Sequence, residues 1–357
     1  MTSTTTTPGG GAAAARRRRR RPSWNRISFM LVFLVLPLAI FVIFVISPFV
    51  QALYYSLTNW TGFSPTMGFV GLSNFVRLFQ DNIFLAALRN NVELAIVVPL
   101  VTITIALAIA SLVTIGGPSK GMIRGIRGAS FYRVVSFFPY CVPAIVIGLI
   151  WEQVYDPAAG LLNGFLTGIG LKNFENFAWL GEVSTAMPAS MWVIIWSFIG
   201  FYTILFVAAI KGVPAEIYEA ARVDGAGRFR MAIAVTIPLI RDNVQTAYIY
   251  LGIAVLDAFV YMQALNPGGG PNNTTLTMSQ ELFTVAFRKG EFGYATAMGV
   301  VLAAVTLLFA ALVFIVTRVL GGREETRGAA RGRRRGATTL APAPAAATTP
   351  LREETGA

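Results

Sequence analysis

The chain of 357 residues has no histidine, one cysteine and few charges. Without histidine it lacks the usual general base near neutral pH and the commonest metal ligand, so neither catalysis nor a metal centre is expected of it. A single cysteine excludes an internal disulfide. Cys141 falls inside an apolar run, where it is expected to pack as a small hydrophobe. Charged residues make up 13% of the chain, against about 25% in ordinary soluble domains. In their place stand 55% hydrophobic residues, gathered into several runs of about 20 that identify an integral membrane protein.

Six apolar segments read as membrane helices: 29–50, 92–115, 134–151, 186–210, 244–265 and 295–316. Pro139 and Pro143 in the third and Gly200 in the fourth allow bends, and ordinary helix packing accounts for them equally. Each segment reaches or approaches the length that crosses about 30 Å of hydrocarbon.

The net charge of +12 does not point to nucleic acid, because the basic residues sit at the ends and in alternate loops. The expected inner side holds 24 of the 29 lysines and arginines, including Arg16 to Arg21, Lys120, Arg124, Arg127 and Arg133. Only Arg77, Arg89, Lys172, Arg288 and Lys289 fall on the other side. Both termini are therefore expected in the cytoplasm, and the first apolar run reads as an uncleaved span. The ends, 1–27 and 321–357, are rich in Arg, Ala, Thr and Pro and are expected to be disordered tails. The arginine run also suits an anionic inner leaflet, making membrane lipid a partner.

The densest chemical signal is the inner loop 212–240. Pro214 suits the first turn of a helix. Ile217, Ala220 and Ala221 follow at i, i+3 and i+4, a narrow apolar face of small residues. Glu216 and Glu219 lie beside it, Glu216 close to the positive helix N-terminus. Asp224-Gly225 ends the helix, glycine supplying the left-handed conformation that a C-cap needs. A second helix is expected from about Arg228 towards Pro238. A helix of about ten residues is marginal alone in water. Docking against another protein and lying on the membrane as a plain connector both remain open on these grounds.

These residues resemble the EAA loop of ABC importer permeases. The pattern is Glu219-Ala220-Ala221, then Asp224-Gly225-Ala226, then Ile237-Pro238. The resemblance extends over about 25–320. Phe69-Val70-Gly71-Leu72 with Asn74-Phe75, Phe138-Pro139-Tyr140, Gly160-Leu161-Leu162-Asn163 and Trp179-Leu180 follow the family order. So does the outer segment from Asn266-Pro267 through Gly268-Gly269-Gly270-Pro271 to Gly293-Tyr294-Ala295. This order is similar to carbohydrate-uptake permeases of the maltose/glycerol-phosphate type. Ile237 replaces the usual Leu, Asp242 stands where proline is common, and Arg230 and Ala232 stand where Gln and Phe are common.

The resemblance implies an all-α, six-span protein of the ABC importer permease (MetI-like) fold, with the membrane domain over 28–320. It implies a binding-protein-dependent importer in a bacterial plasma membrane. Its partners would be a second permease subunit, two ABC ATPase subunits and an extracytoplasmic solute-binding protein. Glu216, Glu219, Ala220, Ala221, Asp224, Gly225, Ala226 and Pro238 would form the ATPase-coupling loop. ATP and Mg would be used by the partner ATPase and no cofactor bound here. The nearest Gly/Lys cluster, Gly116 to Gly121, lacks the P-loop spacing and its following Ser/Thr.

The solute implied is a sugar. Mono-, di- and oligosaccharides, amino sugars and polyol phosphates all stay open. The 266–301 region resembles permeases for an amino sugar such as N-acetylglucosamine or its dimer, chitobiose. A sugar path needs hydrogen-bonding groups and aromatic platforms at membrane depth. The fifth span offers Tyr248, Tyr250, Asp257, Tyr261 and Gln263. An Asp within a span costs about 2.5–3.5 kcal/mol on insertion scales and is expected to face a cavity or a partner. Asp257 also frames the alternative class, an ion-coupled secondary transporter.

Overall fold

The computed structural model describes residues 24–115 and 135–338. The arginine run 16–21, Lys120, Arg124, Arg127, Arg133, the 116–121 glycine cluster and the tail beyond 338 lie outside the described residues. The chain divides into two compact units, Met1–Tyr54 and Tyr55–Ala357. The first contributes an apolar helix, α1 (Ser28–Tyr55), with a mean hydropathy of 3.3. Pro37 and Pro48 fall in this helix, and π-helical turns at Leu31–Val35 and Val42–Ile46 adjust its backbone.

The second unit is built on two long helices. A short helix α2 (Ser73–Gln80) precedes α3 (Asn82–Ile115), which packs along α6 (Ala186–Lys211). Asp81 starts α3: its Oδ1 accepts from the Ile83 and Phe84 amides at 2.9 and 3.4 Å. The core between α3 and α6 contains Leu94, Val98, Ala106, Met191, Ile194, Phe206 and Ile210. Between them in the chain lie α4 (Ala144–Val154) and α5 (Leu161–Gly168). After α6 come two loop helices, α7 (Ala215–Val223) and α8 (Arg228–Met231). Then follow α9 (Arg241–Leu256), α10 (Phe259–Leu265), α11 (Met278–Phe283) and α12 (Phe292–Thr338). The backbone of α12 stays helical beyond the boundary expected at 320.

Among the described residues, four helices are long and apolar enough to cross a membrane: α1, α3, α6 and α12. The third and fifth spans, each expected as one helix, are not continuous. Segment Val135–Cys141 meets α4 at 112°, and α9 meets α10 at 51°. Counting each bent pair as one span gives six.

The first break has a covalent cause. Pro143 has no amide proton and disfavours helical backbone at the residue before it. Val142 is accordingly extended, with φ −85° and ψ 135°, and Pro143 becomes the N-cap of α4. Cys141, at the end of this turn, is exposed rather than packed, because the bend ends the apolar helix beside it. The bend is held from the other side by Gly200 of α6. A Cβ there would lie 1.7 Å from the Ser136 carbonyl oxygen. No other residue allows this approach of two backbones.

The second break falls at Asp257, with φ −109° and ψ 49°. The freed Leu256 carbonyl accepts a hydrogen bond from Asn91 Nδ2 at 2.7 Å. Asn91 Oδ1 accepts from the Met278 amide, a first-turn donor of α11, at 2.8 Å. Its fully buried side chain thus satisfies two backbone groups that would otherwise be stranded. The halves beyond the two breaks, α4 and α10, pack on one another. Gly148 there meets Ala264: an added Cβ would lie 2.4 Å from the Ala264 Cβ.

The glycine-rich segment after α10 is folded and anchored. Gly268, Gly269 and Gly270 all have positive φ, of 87°, 95° and 68°. Asn90 Nδ2 donates to the Asn273 and Leu276 carbonyls at 3.0 and 2.9 Å, fixing this segment to α3. Thr277 then opens α11 with a capping box to Gln280. On α2, Asn74 Nδ2 donates to the Ser56 and Thr58 carbonyls at 2.8 and 2.9 Å. The element noted between Phe69 and Asn74 therefore pins the loop that follows α1.

Candidate functional site

The loop between α6 and α9 takes the expected two-helix form. Pro214 is the N-cap of α7 rather than its first helical residue. Glu216 occupies the first turn, where the helix dipole favours it. Glu216, Ile217, Glu219 and Ala220 are exposed, and Ala221 is half-buried. The carboxylates and the small-residue face of α7 thus point away from the bundle.

The end of α7 explains the Asp-Gly-Ala triplet physically. Asp224 is the C-cap, and Gly225 follows in the left-handed region at φ 76°. The Ala226 amide donates to the Ala221 carbonyl, and the Gly225 amide to the Arg222 carbonyl, both at 2.9 Å. This is the paired closure of a Schellman motif. It reverses the chain within four residues, so that α8 starts at Arg228, as expected from the sequence. A π-helical turn, Ala232–Thr236, leads to Pro238, whose ring is exposed.

One residue of the loop was not foreseen. Tyr218 is the only buried side chain of α7, at 1% exposure. It belongs to the same core as Phe206 and Ile210 of α6, Met231 of α8 and Ile240. Its hydroxyl lies 3.4 Å from that of Thr236, which is itself wholly buried. Burial raises the Tyr218 phenol above its ordinary range, and the Thr236 hydrogen bond opposes this. The available signal was a lone aromatic among small and acidic neighbours.

Of the five residues proposed for a path, Tyr248 lines a cavity to which the other four do not contribute. Tyr248 donates to the Ile96 carbonyl at 3.2 Å and stacks on Phe309. It lines a cavity of about 1100 Å³ with Val92, Ile96, Gln245, Phe309 and Leu312. That wall is mostly apolar, which suits a sugar poorly. Tyr250 is 69% exposed, and Asp257 is exposed at the break between α9 and α10. Tyr261 lies 3.0 Å from the Ser197 hydroxyl, and Gln263 Oε1 accepts from Gln280 Nε2 at 3.4 Å.

Tyr261 is the member with the richest surroundings. Its ring faces Phe198, which faces Tyr140, which stacks on Phe201 at 4.6 Å. This aromatic group joins α6, α10 and the turn before α4. Trp151 and Trp196 meet edge to face at 5.5 Å, in the neighbouring cluster that shares Tyr261. Asn90 and Asn91 were also missed by sequence reasoning. Their signal was a polar pair at the start of an apolar run.

Apolar helices of membrane-crossing length, two broken spans and an exposed helical loop with an acidic face define a helical membrane transport component. The chain belongs to the family of binding-protein-dependent transport system inner membrane components, whose model matches residues 113–325. It is a transport subunit and not an enzyme. Among its relatives is the diacetylchitobiose uptake system permease protein NgcF of Streptomyces coelicolor. The two are 66% identical over 87% of this chain and 89% of the relative. The multiple sugar-binding transport system permease protein MsmF of Streptococcus mutans is 32% identical over 76% of this chain and 88% of that one. A chain of a bacterial alginate ABC transporter, solved with an alginate-bound periplasmic protein, has the same fold. Its TM-score is 0.70 at 23% identity, covering 84% of this chain and 99% of that chain. The family is that of binding-protein-dependent transport and not the ion-coupled class that Asp257 framed as an alternative.

Proposed function

We propose that this chain is one permease subunit of an ATP-driven importer whose cargo is diacetylchitobiose, the dimer of N-acetylglucosamine. The observation that carries the cargo is the 66% identity to a diacetylchitobiose uptake permease over nearly the whole of both chains. The subunit pairs with a second permease in the plasma membrane of a bacterium, with both termini in the cytoplasm. Two separate ATPase subunits bind ATP and Mg, and an extracytoplasmic binding protein delivers the sugar.

The geometry supports a division of labour. The exposed face of α7, with Glu216, Glu219, Ala220 and Ala221, docks in the ATPase. The Asp224-Gly225-Ala226 closure and Pro238 hold that helix at a fixed angle to the spans. ATP-driven closure of the ATPase pair pushes α7 and rocks the bundle between inward- and outward-facing arrangements. On the path, Tyr261 is the strongest candidate sugar contact, because a hydroxyl and an aromatic face stand together there. Tyr248, Tyr250, Asp257 and Gln263 are the further candidates. A sugar ring presents an apolar face to such a platform and hydroxyls to its polar edge.

The test is uptake of labelled diacetylchitobiose by cells that lack the chain and by cells that regain it. Uptake is expected to vanish and return, and to be outcompeted by the unlabelled disaccharide but not by maltose or glycerol phosphate. Uptake that persists without the chain would overturn the assignment.

A further inference from the structure

The short helix α7 is tied to its own subunit in an uneven way. Six of its nine residues are exposed, among them Val223 at 89%, and Ala221 and Arg222 are half-buried. Its one buried side chain is Tyr218. That side chain is among the largest fully buried in the described residues. It belongs to a core that also contains Phe206, Val207 and Ile210 of the fourth span and Met231, Ile240 and Ala247 around the entrance to the fifth.

The hydroxyl end of Tyr218 meets a second unusual feature. Thr236 closes the π-helical turn Ala232–Thr236, immediately before Ile237-Pro238. Its Oγ1 lies 3.4 Å from the Tyr218 hydroxyl and 3.2 Å from the Met231 carbonyl. With one hydroxyl proton it donates to one of them at a time. Tyr218 therefore touches the turn at which the chain enters the fifth span, where wide helical turns and proline locally weaken the backbone ladder.

We infer that Tyr218 is the positioning residue through which displacement of α7 becomes tilt of the fifth span. The inference rests on the reading that α7 docks in an ATPase. Packed cores resist continuous deformation, so a rigid ring buried in the core that both spans share transmits movement. An alanine at 218 leaves the exposed face of α7 intact and removes the tie.

The experiment uses the whole complex in proteoliposomes, in a Cys141→Ser background with Ala254→Cys on the exposed part of α9 as reporter. Three quantities are read: retention of the ATPase subunit, ATP hydrolysis, and the change in maleimide labelling between nucleotide-free and ATP/vanadate-trapped states. None of them depends on the identity of the sugar. With Tyr218 in place, the labelling rate is expected to change about tenfold between states, an ordinary size for coupling between sites. Tyr218→Ala is expected to keep the ATPase and its hydrolysis while the labelling change collapses. Tyr218→Phe, which keeps the ring, is expected to preserve it. If Tyr218→Ala is not recovered in the membrane, Tyr218→Leu carries the same expectation.

A labelling change that survives in Tyr218→Ala or Tyr218→Leu overturns the inference. So does a loss of labelling change, hydrolysis and ATPase retention in the same proportion, which marks a plain fold brace. Failure of the unsubstituted complex to retain an ATPase defeats the docking reading and this inference with it. Retention without any nucleotide-dependent labelling defeats the inference alone.

Discussion

At the scale of single residues, the structure assigns definite work to side chains that composition makes look ordinary. Gly225 adopts φ 76° in open space, so the cost of a side chain there is conformational and not steric. Gly225→Ala is expected to destabilise the loop by about 1–2 kcal/mol. Proteolytic nicking between α7 and α8 under native conditions would report this as faster cleavage. Gly225→Pro cannot reach a positive φ and also removes the donor to Arg222. It is expected to abolish uptake while leaving the spans folded. Asn91 is a different case. Asn91→Leu keeps the volume but leaves the Leu256 carbonyl and the Met278 amide without partners in a buried place. Each unsatisfied group costs about 1–3 kcal/mol. A clear drop in melting temperature of the detergent-solubilised protein is expected, against little change for the exposed Asn243→Leu.

At the scale of elements, the breaks in the third and fifth spans govern the architecture. The first brings backbone against backbone at Gly200 and Ser136. Gly200→Ala has nowhere to put its methyl group and is expected to lower the amount of folded protein in the membrane sharply. Gly168→Ala meets no atom within 4 Å and serves as the control. These elements also show what was legible beforehand. Long apolar runs, charged at most at an edge as at Glu93, located α1, α3, α6 and α12, since hydrophobic length is a local property of the chain. The break at Val142-Pro143 was only half legible: proline permits a bend, but its size depends on Gly200 lying opposite. The break at Asp257 was hidden, because one Asp in an apolar run reads equally well as a polar residue on a continuous helix. The Asn91 side chain that completes it is 165 residues away in sequence. Likewise Asp224-Gly225 announced a helix end from local conformation. The burial of Tyr218 depends on residues of three other segments and carried no periodic signal.

At the scale of the whole molecule, the charge distribution predicts an orientation with direct consequences for the loop. With 24 of 29 basic residues assigned to one side, Val223 and Phe229 are expected on the cytoplasmic face. Asn176, between α5 and α6, is expected outside. The near absence of cysteine makes this simple to test. In a Cys141→Ser background, a cysteine at Asn176 is expected to react with a membrane-impermeant maleimide added to intact cells, whereas one at Val223 reacts only after permeabilisation. Val223 is 89% exposed, so protection in intact cells reflects the membrane and not the fold. Once cells are opened, the ATPase decides the outcome. If the exposed face of α7 sits in a partner cleft, labelling at Val223 should be slow in membranes that contain the ATPase and fast in membranes from cells that lack it. Equal rates in the two membranes would mean that α7 has no such partner, and the proposed route from ATP to the sugar path would lose its first step.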